Sequence, residues 1–290
     1  MNGPIEIKKV LNNNVLIAAH PEHEEVVVIG KGIGFGRKAG DLFQPELAEK
    51  LFVLKNERER EQYKQLVPHV SEHLIELMND ILLYVQEQAG GPLNEHIHVA
   101  LTDHLAFAIR RMKQGMAIDN PFLLETKALY PEEYTIAKGV VEMIERKLGL
   151  RMPEGEVGFI ALHIYSAVHN TELTAMNQNS RLIAQLTEII ENQMEVQLDK
   201  ESIHYLRLVR HLHYAIERVK SGEAMEEPKR FAEILKEEYP ECYNLSWVLI
   251  RVMQNSLRLP VYEAETVYLT MHLQRLVQSK QQVRPNGTGH

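Results

Sequence analysis

Fourteen histidines are scattered through the 290 residues, and four of them occur in settings that appear twice. HLAFAIRRMKQG, from His104 to Gly115, recurs as HLHYAIERVKSG, from His211 to Gly222. YPEEY at Tyr130 recurs as YPECY at Tyr239, and His163 and His272 each follow the first tyrosine of that motif by 33 positions. EGEVGFIALHI, ending at Ile164, and EAETVYLTMHL, ending at Leu273, share one pattern. The copies are offset by 107 positions at the first histidine and by 109 at the second. His104 with His163, and His211 with His272, are therefore equivalent pairs.

An imidazole accepts a phosphoryl group on one ring nitrogen while the other is held by a hydrogen bond, so this chemistry needs only an accessible ring and an orienting partner. Each transfer adds about −1.5 to −2 charges near neutral pH. Arg111 and Arg218 each lie seven positions after the first histidine of their copy, two turns along one helix face, where they are candidate phosphate ligands or solvated edge residues. For any single histidine on an apolar stripe the alternative is a core residue with satisfied nitrogens, and recurrence in both copies weighs against it. Metal binding through His96 and His98 with His104 is disfavoured, because His96 and His98 have no counterparts in the second copy. No complete nucleophile, base and orienter set stands out, so neither catalytic nor metal residues are assigned, and no cofactor is expected.

A second chemistry-bearing stretch is GKGIGFGRK, Gly30 to Lys38. It matches neither nucleotide-loop pattern, and no αβ alternation surrounds it. Glycine at every second position permits close backbone approach, Lys31, Arg37 and Lys38 supply positive charge, and Phe35 offers a stacking face, a combination suited to RNA. The alternative places Phe35 in the core and leaves the lysines as loop solvation.

The elements that carry these residues fall into three segments. Ile5 and Ile7 alternate with polar neighbours, Asn12-Asn13-Asn14 forms a turn before Val15-Leu16-Ile17, and a turn at His20-Pro21-Glu22 precedes Glu25 to Ile29. With Leu51 to Leu54 these runs predict a small four-stranded antiparallel sheet whose marginal core dimerisation would help to bury. KNEREREQ, Lys55 to Gln62, reads as a linker entering a helix. The period is helical beyond it, with stops expected at Gly90-Gly91-Pro92, at Gly115, near Leu148 and near Gly222, and with a joint at Asn170 to Asn179. The expected domains are residues 1–60, 61–172 and 173–282, followed by a disordered tail at 283–290.

The formal net charge of −8 argues against a protein that coats nucleic acid through a basic surface, although the stretch to Lys55 is balanced, with seven basic and seven acidic residues. One cysteine, Cys242, excludes an internal disulfide framework and fits a reducing compartment. No apolar run is long enough to span a bilayer and no leader pattern opens the chain, so a cytoplasmic protein without membrane insertion is expected.

KKVLNNNVLIA from Lys8, VVIGKGIGFGRKAGD from Val27 and the two HL-x-[FY]-A-I modules together make the chain similar to the bacterial antiterminators that control sugar phosphotransferase genes, and most similar to their glucose-type branch. That resemblance implies a multidomain fold: an all-β RNA-binding domain forming a symmetric dimer, then two all-α phosphotransferase regulation domains (PRDs). It implies binding to a leader-RNA hairpin that overlaps a terminator, with RNA contacts at Asn14, Gly30, Lys31, Gly32, Phe35 and Arg37. It also implies phosphorylation of His104 and His163 by the sugar permease (enzyme II, glucose-specific), which inactivates, and of His211 and His272 by the phosphocarrier HPr, which stimulates. Asp103 before His104 and Arg210 before His211 make the two sites electrostatically different. The competing expectation is a PRD-containing DNA-binding activator, which requires a helix-turn-helix at the N terminus.

Overall fold

A computed structural model describes residues 3–54, 56–116, 118–223, 225 and 229–283, with side chains described to residue 278. The expected tail at 283–290 lies almost wholly outside the described residues. The chain divides into two compact units, one comprising Met1–Pro121 and Glu132–Leu173, the other Phe122–Pro131 and Thr174–His290.

The first unit opens with strands β1 (Ile5–Val10), β2 (Val15–His20), β3 (Glu24–Ile29), β4 (Leu42–Phe43) and β5 (Lys50–Phe52), in the antiparallel order β4-β1-β2-β3-β5. The sheet thus has five strands where four were expected. The addition is β4, whose two residues pair Phe43 with Ile5 and Leu42 with Glu6, too short a run to show a period of two in sequence. Ile5, Ile7, Leu16, Ala18, Val26, Val28, Ile33 and Phe43 form a core on one face. The opposite face is also buried, because Ile17, Val27 and Phe52 are register partners across β2, β3 and β5. Phe52 stacks on His98 with ring centroids 3.8 Å apart and meets Tyr63 edge-on at 5.7 Å. The helices α1 (Glu57–Leu66) and α3 (His96–Lys113) therefore cover that face, and the Lys64 ammonium adds an ion pair to Glu25 at 2.8 Å.

The remaining helices of this unit are α2 (Glu72–Ala89), α5 (Pro131–Leu148) and α6 (Glu154–His169). Ser71 caps α2 by accepting from the Leu74 N–H at 3.4 Å, and Gly90 closes it. Between α3 and α5 lies α4 (Leu123–Leu129), which packs on α8 (Ile203–Ser221) and so belongs to the second unit. There the Tyr205 hydroxyl donates to the buried Glu125 carboxylate at 2.7 Å.

The second unit adds α7 (Leu173–Gln193), α9 (Lys229–Glu238), α10 (Pro240–Leu257) and α11 (Ala264–Val283). Leu182, Ile183, Leu186, Tyr205, Leu208, Leu212, Leu249 and Leu273 contribute to one continuous core. The joint expected at Asn170 to Asn179 is shorter than its composition suggested, since α7 begins at Leu173. Met176, Asn179 and Ser180 are buried, so these polar residues belong to an amphipathic helix and not to a linker. Among the described residues no helix is long and apolar enough to cross a membrane.

Candidate functional site: two repeated histidine clusters and a glycine-asparagine surface

In the first unit α3 packs on α6, which brings together two histidines distant in sequence. The rings of His104 on α3 and His163 on α6 lie 5.0 Å apart. The Glu156 carboxylate, with a fully buried side chain, sits 3.0 Å from His104 Nε2 through Oε2 and accepts from Arg111 Nη2 through Oε1. Phe159 stands 5.8 Å from the His104 ring. Burial, then the neighbouring His104 and His96, pushes the His163 imidazole down to about 3, so His163 is neutral at physiological pH. Its Nδ1 is buried without a hydrogen-bond partner.

The second unit repeats the arrangement between α8 and α11. The rings of His211 and His272 are stacked with centroids 4.7 Å apart. Glu265, 2% exposed, accepts from Arg218 Nε at 2.9 Å and Nη2 at 2.7 Å, both at Oε1. Its other oxygen lies 3.3 Å from His211 Nε2, close enough to pair charge but off the axis of a hydrogen bond. Burial alone would raise the Glu265 carboxyl, but His211 and Arg218 outweigh it and hold the group below the ordinary glutamate range. Burial first, then His211, Arg275 and Arg207, pushes His272 down to about 4. Tyr268, 6.0 Å from the His211 ring, occupies the position that Phe159 holds in the first unit.

Each cluster is thus two histidines, a buried glutamate and an arginine. Glu156 and Glu265 were not singled out in the sequence, although each precedes its second histidine by seven positions, two helical turns, within the matched EGEVGFIALHI and EAETVYLTMHL motifs. Arg111 and Arg218 are paired with these carboxylates and so are not solvated edge residues. The expected asymmetry between Asp103 and Arg210 changes accordingly. Asp103 is exposed, Arg210 reaches the Ala128 carbonyl at 3.4 Å, and in both units the carboxylate beside the first histidine comes from the neighbouring helix. His96 pairs with Glu59 at 3.1 Å while His98 is buried against Phe52, and among the described residues no group of three metal-ligating side chains is placed to hold an ion.

In the sheet domain the asparagine turn and the glycine loop form one surface. The Gly34 N–H donates to the Asn13 carbonyl at 2.8 Å, and the Gly32 N–H to Asn14 Oδ1 at 2.8 Å. Gly34 passes so close to the Asn12 carbonyl that a Cβ there would collide with it, and Gly32 holds a φ of +67°. Phe35 is 77% exposed, Lys31 and Lys38 are exposed beside it, and the Arg37 guanidinium lies 5.1 Å over the Phe43 ring. Gly30 is buried at the base of the loop. Asn14 is buried and its amide carbonyl organises the loop, so in this arrangement it positions the surface and Phe35 presents the stacking face.

Comparison with known proteins agrees with this division. A CAT RNA-binding domain model matches residues 5–61, and a PRD domain model matches residues 79–167 and 184–276. The chain is 54% identical over 276 residues to the PtsGHI operon antiterminator of Bacillus subtilis (strain 168), covering 95% of this chain and 98% of that relative. It is 38% identical over 277 residues to the GlcA/glcB genes antiterminator of Staphylococcus carnosus (strain TM300), covering 95% and 96%. A crystal structure of GlcT CAT-PRDI aligns with a TM-score of 0.52 and 55% identity, over 57% of this chain and 99% of that one.

Proposed function

Since the chain belongs to the family of antiterminators built from a CAT RNA-binding domain and two PRD domains, we infer that it binds a hairpin in a nascent leader transcript and prevents an overlapping terminator from forming. Histidine phosphorylation by the sugar phosphotransferase system controls it. The observation that carries this reading is the same histidine, histidine, glutamate and arginine cluster built twice in a chain that opens with an RNA-binding sheet. The names of the relatives, a PtsGHI operon antiterminator and a GlcA/glcB genes antiterminator, support a glucose-type transcript and a glucose permease as signal.

The clusters suit phosphoryl acceptance. His163 and His272 are kept neutral by burial, the form with a ring lone pair free to attack phosphorus. In such a transfer the bond from phosphorus to the donor's side chain breaks as the bond to the acceptor's ring nitrogen forms, and the proton given up by the acceptor ring passes to the departing group. Glu156 and Glu265 orient the first histidine of each pair, and Arg111 and Arg218 hold those carboxylates in place by ion pairing. A phosphoryl group arriving about 5 Å from such a carboxylate repels it by about 3 kcal/mol per pair of unit charges at an effective dielectric near 20. The arginine then has two competing anions, and the α3–α6 or α8–α11 packing must readjust. We take this as the origin of a rearrangement between protomers of a homodimer, with the permease acting on His104 and His163 and HPr on His211 and His272.

On the RNA side Phe35 stacks with a base, Lys31 and Arg37 neutralise phosphate, and Asn14, Gly30 and Gly32 shape the surface that meets them. A DNA-binding activator is not favoured, because the described N-terminal residues form a sheet and not a helix-turn-helix. Terminator readthrough in a reporter strain tests the assignment. His104→Ala with His163→Ala is expected to give readthrough whether or not the sugar is present, and retained sugar dependence would overturn the negative control assigned to that pair.

A further inference from the structure

The edge formed by the asparagine turn and the glycine loop carries two more donors than the loop itself uses, the side-chain amides of Asn13 and Asn14. Both are engaged by the first helical module. Asn13 Nδ2 donates to Glu72 Oε1 at 2.6 Å, and Asn14 Nδ2 donates to Glu76 Oε1 at 3.3 Å. Glu72 and Glu76 are four residues apart on one face at the start of α2, and both are exposed residues. Core packing therefore does not dictate where their carboxylates lie.

Two carboxylates here do to a nucleic acid what no neutral contact would. They occupy amide donors otherwise free for base edges or phosphate, and they place negative charge on the Asn13–Asn14 turn that seats the glycine loop. We propose that Glu72 and Glu76 form an autoinhibitory clasp, in which the acidic start of α2 stands in for RNA on the Asn13–Asn14 turn and must release before the transcript binds. This rests on the reading that the turn and loop meet RNA. The clasp is one fastening among several, since the Phe52–His98 stack and the Lys64–Glu25 ion pair also hold the sheet to the helices. Removing it shifts a population without dissolving the closed arrangement. Apparent affinity scales with the fraction of open molecules, so loosening two hydrogen bonds translates into about a tenfold gain.

The test uses the full chain and RNA of the PtsGHI operon leader, with binding followed by fluorescence anisotropy of labelled RNA. The double variant Glu72→Ala/Glu76→Ala, altered only at exposed positions and checked for native helicity by circular dichroism, is expected to bind about tenfold tighter than the unmodified chain. Phe35→Ala is expected to weaken binding in both backgrounds. If Phe35→Ala leaves affinity unchanged, the reading of the RNA surface fails and the clasp with it. If Phe35→Ala weakens binding while the glutamate variant binds equally or less tightly, the clasp alone is overturned and the two carboxylates are supports of the turn.

Discussion

Removing Arg218 probes the repeated cluster where the chain carries its own reporter. The single tryptophan, Trp247, lies on α10 in the same unit, so its emission follows unfolding of that unit in urea. Glu265 has a side chain 3% exposed and receives two hydrogen bonds from Arg218. Arg218→Met leaves a buried carboxylate whose remaining polar neighbour is the His211 ring, with Nε2 3.3 Å away. Stranding one member of a buried pair costs about 3–5 kcal/mol, and because the Arg218 side chain keeps 24% exposure the lower end, about 3 kcal/mol, is expected. Glu265→Gln alone should cost about 2 kcal/mol, since a neutral amide replaces the acceptor of two charge-assisted bonds. Combining the two should cost clearly less than their sum, with coupling of about 2 kcal/mol, because no buried charge is then unpaired. Between native and Arg218→Met chains the difference should also narrow below about pH 5, where protonation of a Glu265 no longer held down relieves the unpaired charge. An Arg218→Met cost under about 1 kcal/mol, or strict additivity in the double variant, would show that the arginine does not hold the carboxylate and would remove the basis for its positioning role.

Two further outcomes follow from burial and backbone geometry. His98 and His163 are both pushed down to about 3 in the native first unit, with burial the leading cause, against about 6.5 unfolded. The unfolded chain therefore takes up protons in this window that the native one refuses. Stability should be greatest above about pH 6.5 and fall as the pH is lowered toward 3, by about 2 kcal/mol per histidine at pH 5. Urea midpoints from far-UV circular dichroism should show this slope, His163→Gln should flatten it, and a midpoint constant from pH 7.5 to 5 would contradict it. Gly34→Ala drives a methyl group into the Asn12 carbonyl, so the glycine loop must move off the asparagine turn. RNA affinity should fall at least tenfold with helicity unchanged, whereas native affinity would show that the loop's seat on the turn is unimportant.

The four histidines were legible in the sequence because duplication marks them, whereas the approach of the two rings in each pair to within about 5 Å depends on α3 packing on α6 and α8 on α11. Glu156 and Glu265 lie inside the same matched motifs but carry no sequence mark of burial, since glutamates at the start of a helix ordinarily complement its dipole and stay solvated. Their burial depends on how α6 crosses α3 and how α11 crosses α8, which no local pattern specifies. The same holds for Arg111 and Arg218, whose seven-residue spacing from histidine fixed a helix face but not the anion on it. Strand β4 was invisible because two residues have no periodicity, and α7 was obscured at its start by the polar run Asn177-Gln178-Asn179. The family resemblance implies an RNA contact at Asn14; its burial and its bonds to Gly32 and Glu76 arise from chain segments 18 and 62 positions away.

The most direct measurement is to phosphorylate the full chain from phosphoenolpyruvate with enzyme I and HPr, with and without the glucose permease, locate the label by mass spectrometry and follow leader-RNA affinity in the same samples. Label on His104 or His163 should depend on the permease and lower RNA affinity, and label on His211 or His272 should need only HPr and raise it. A chain that stays unlabelled at all four rings while HPr itself is labelled, or whose RNA affinity is the same with and without label, would contradict the account.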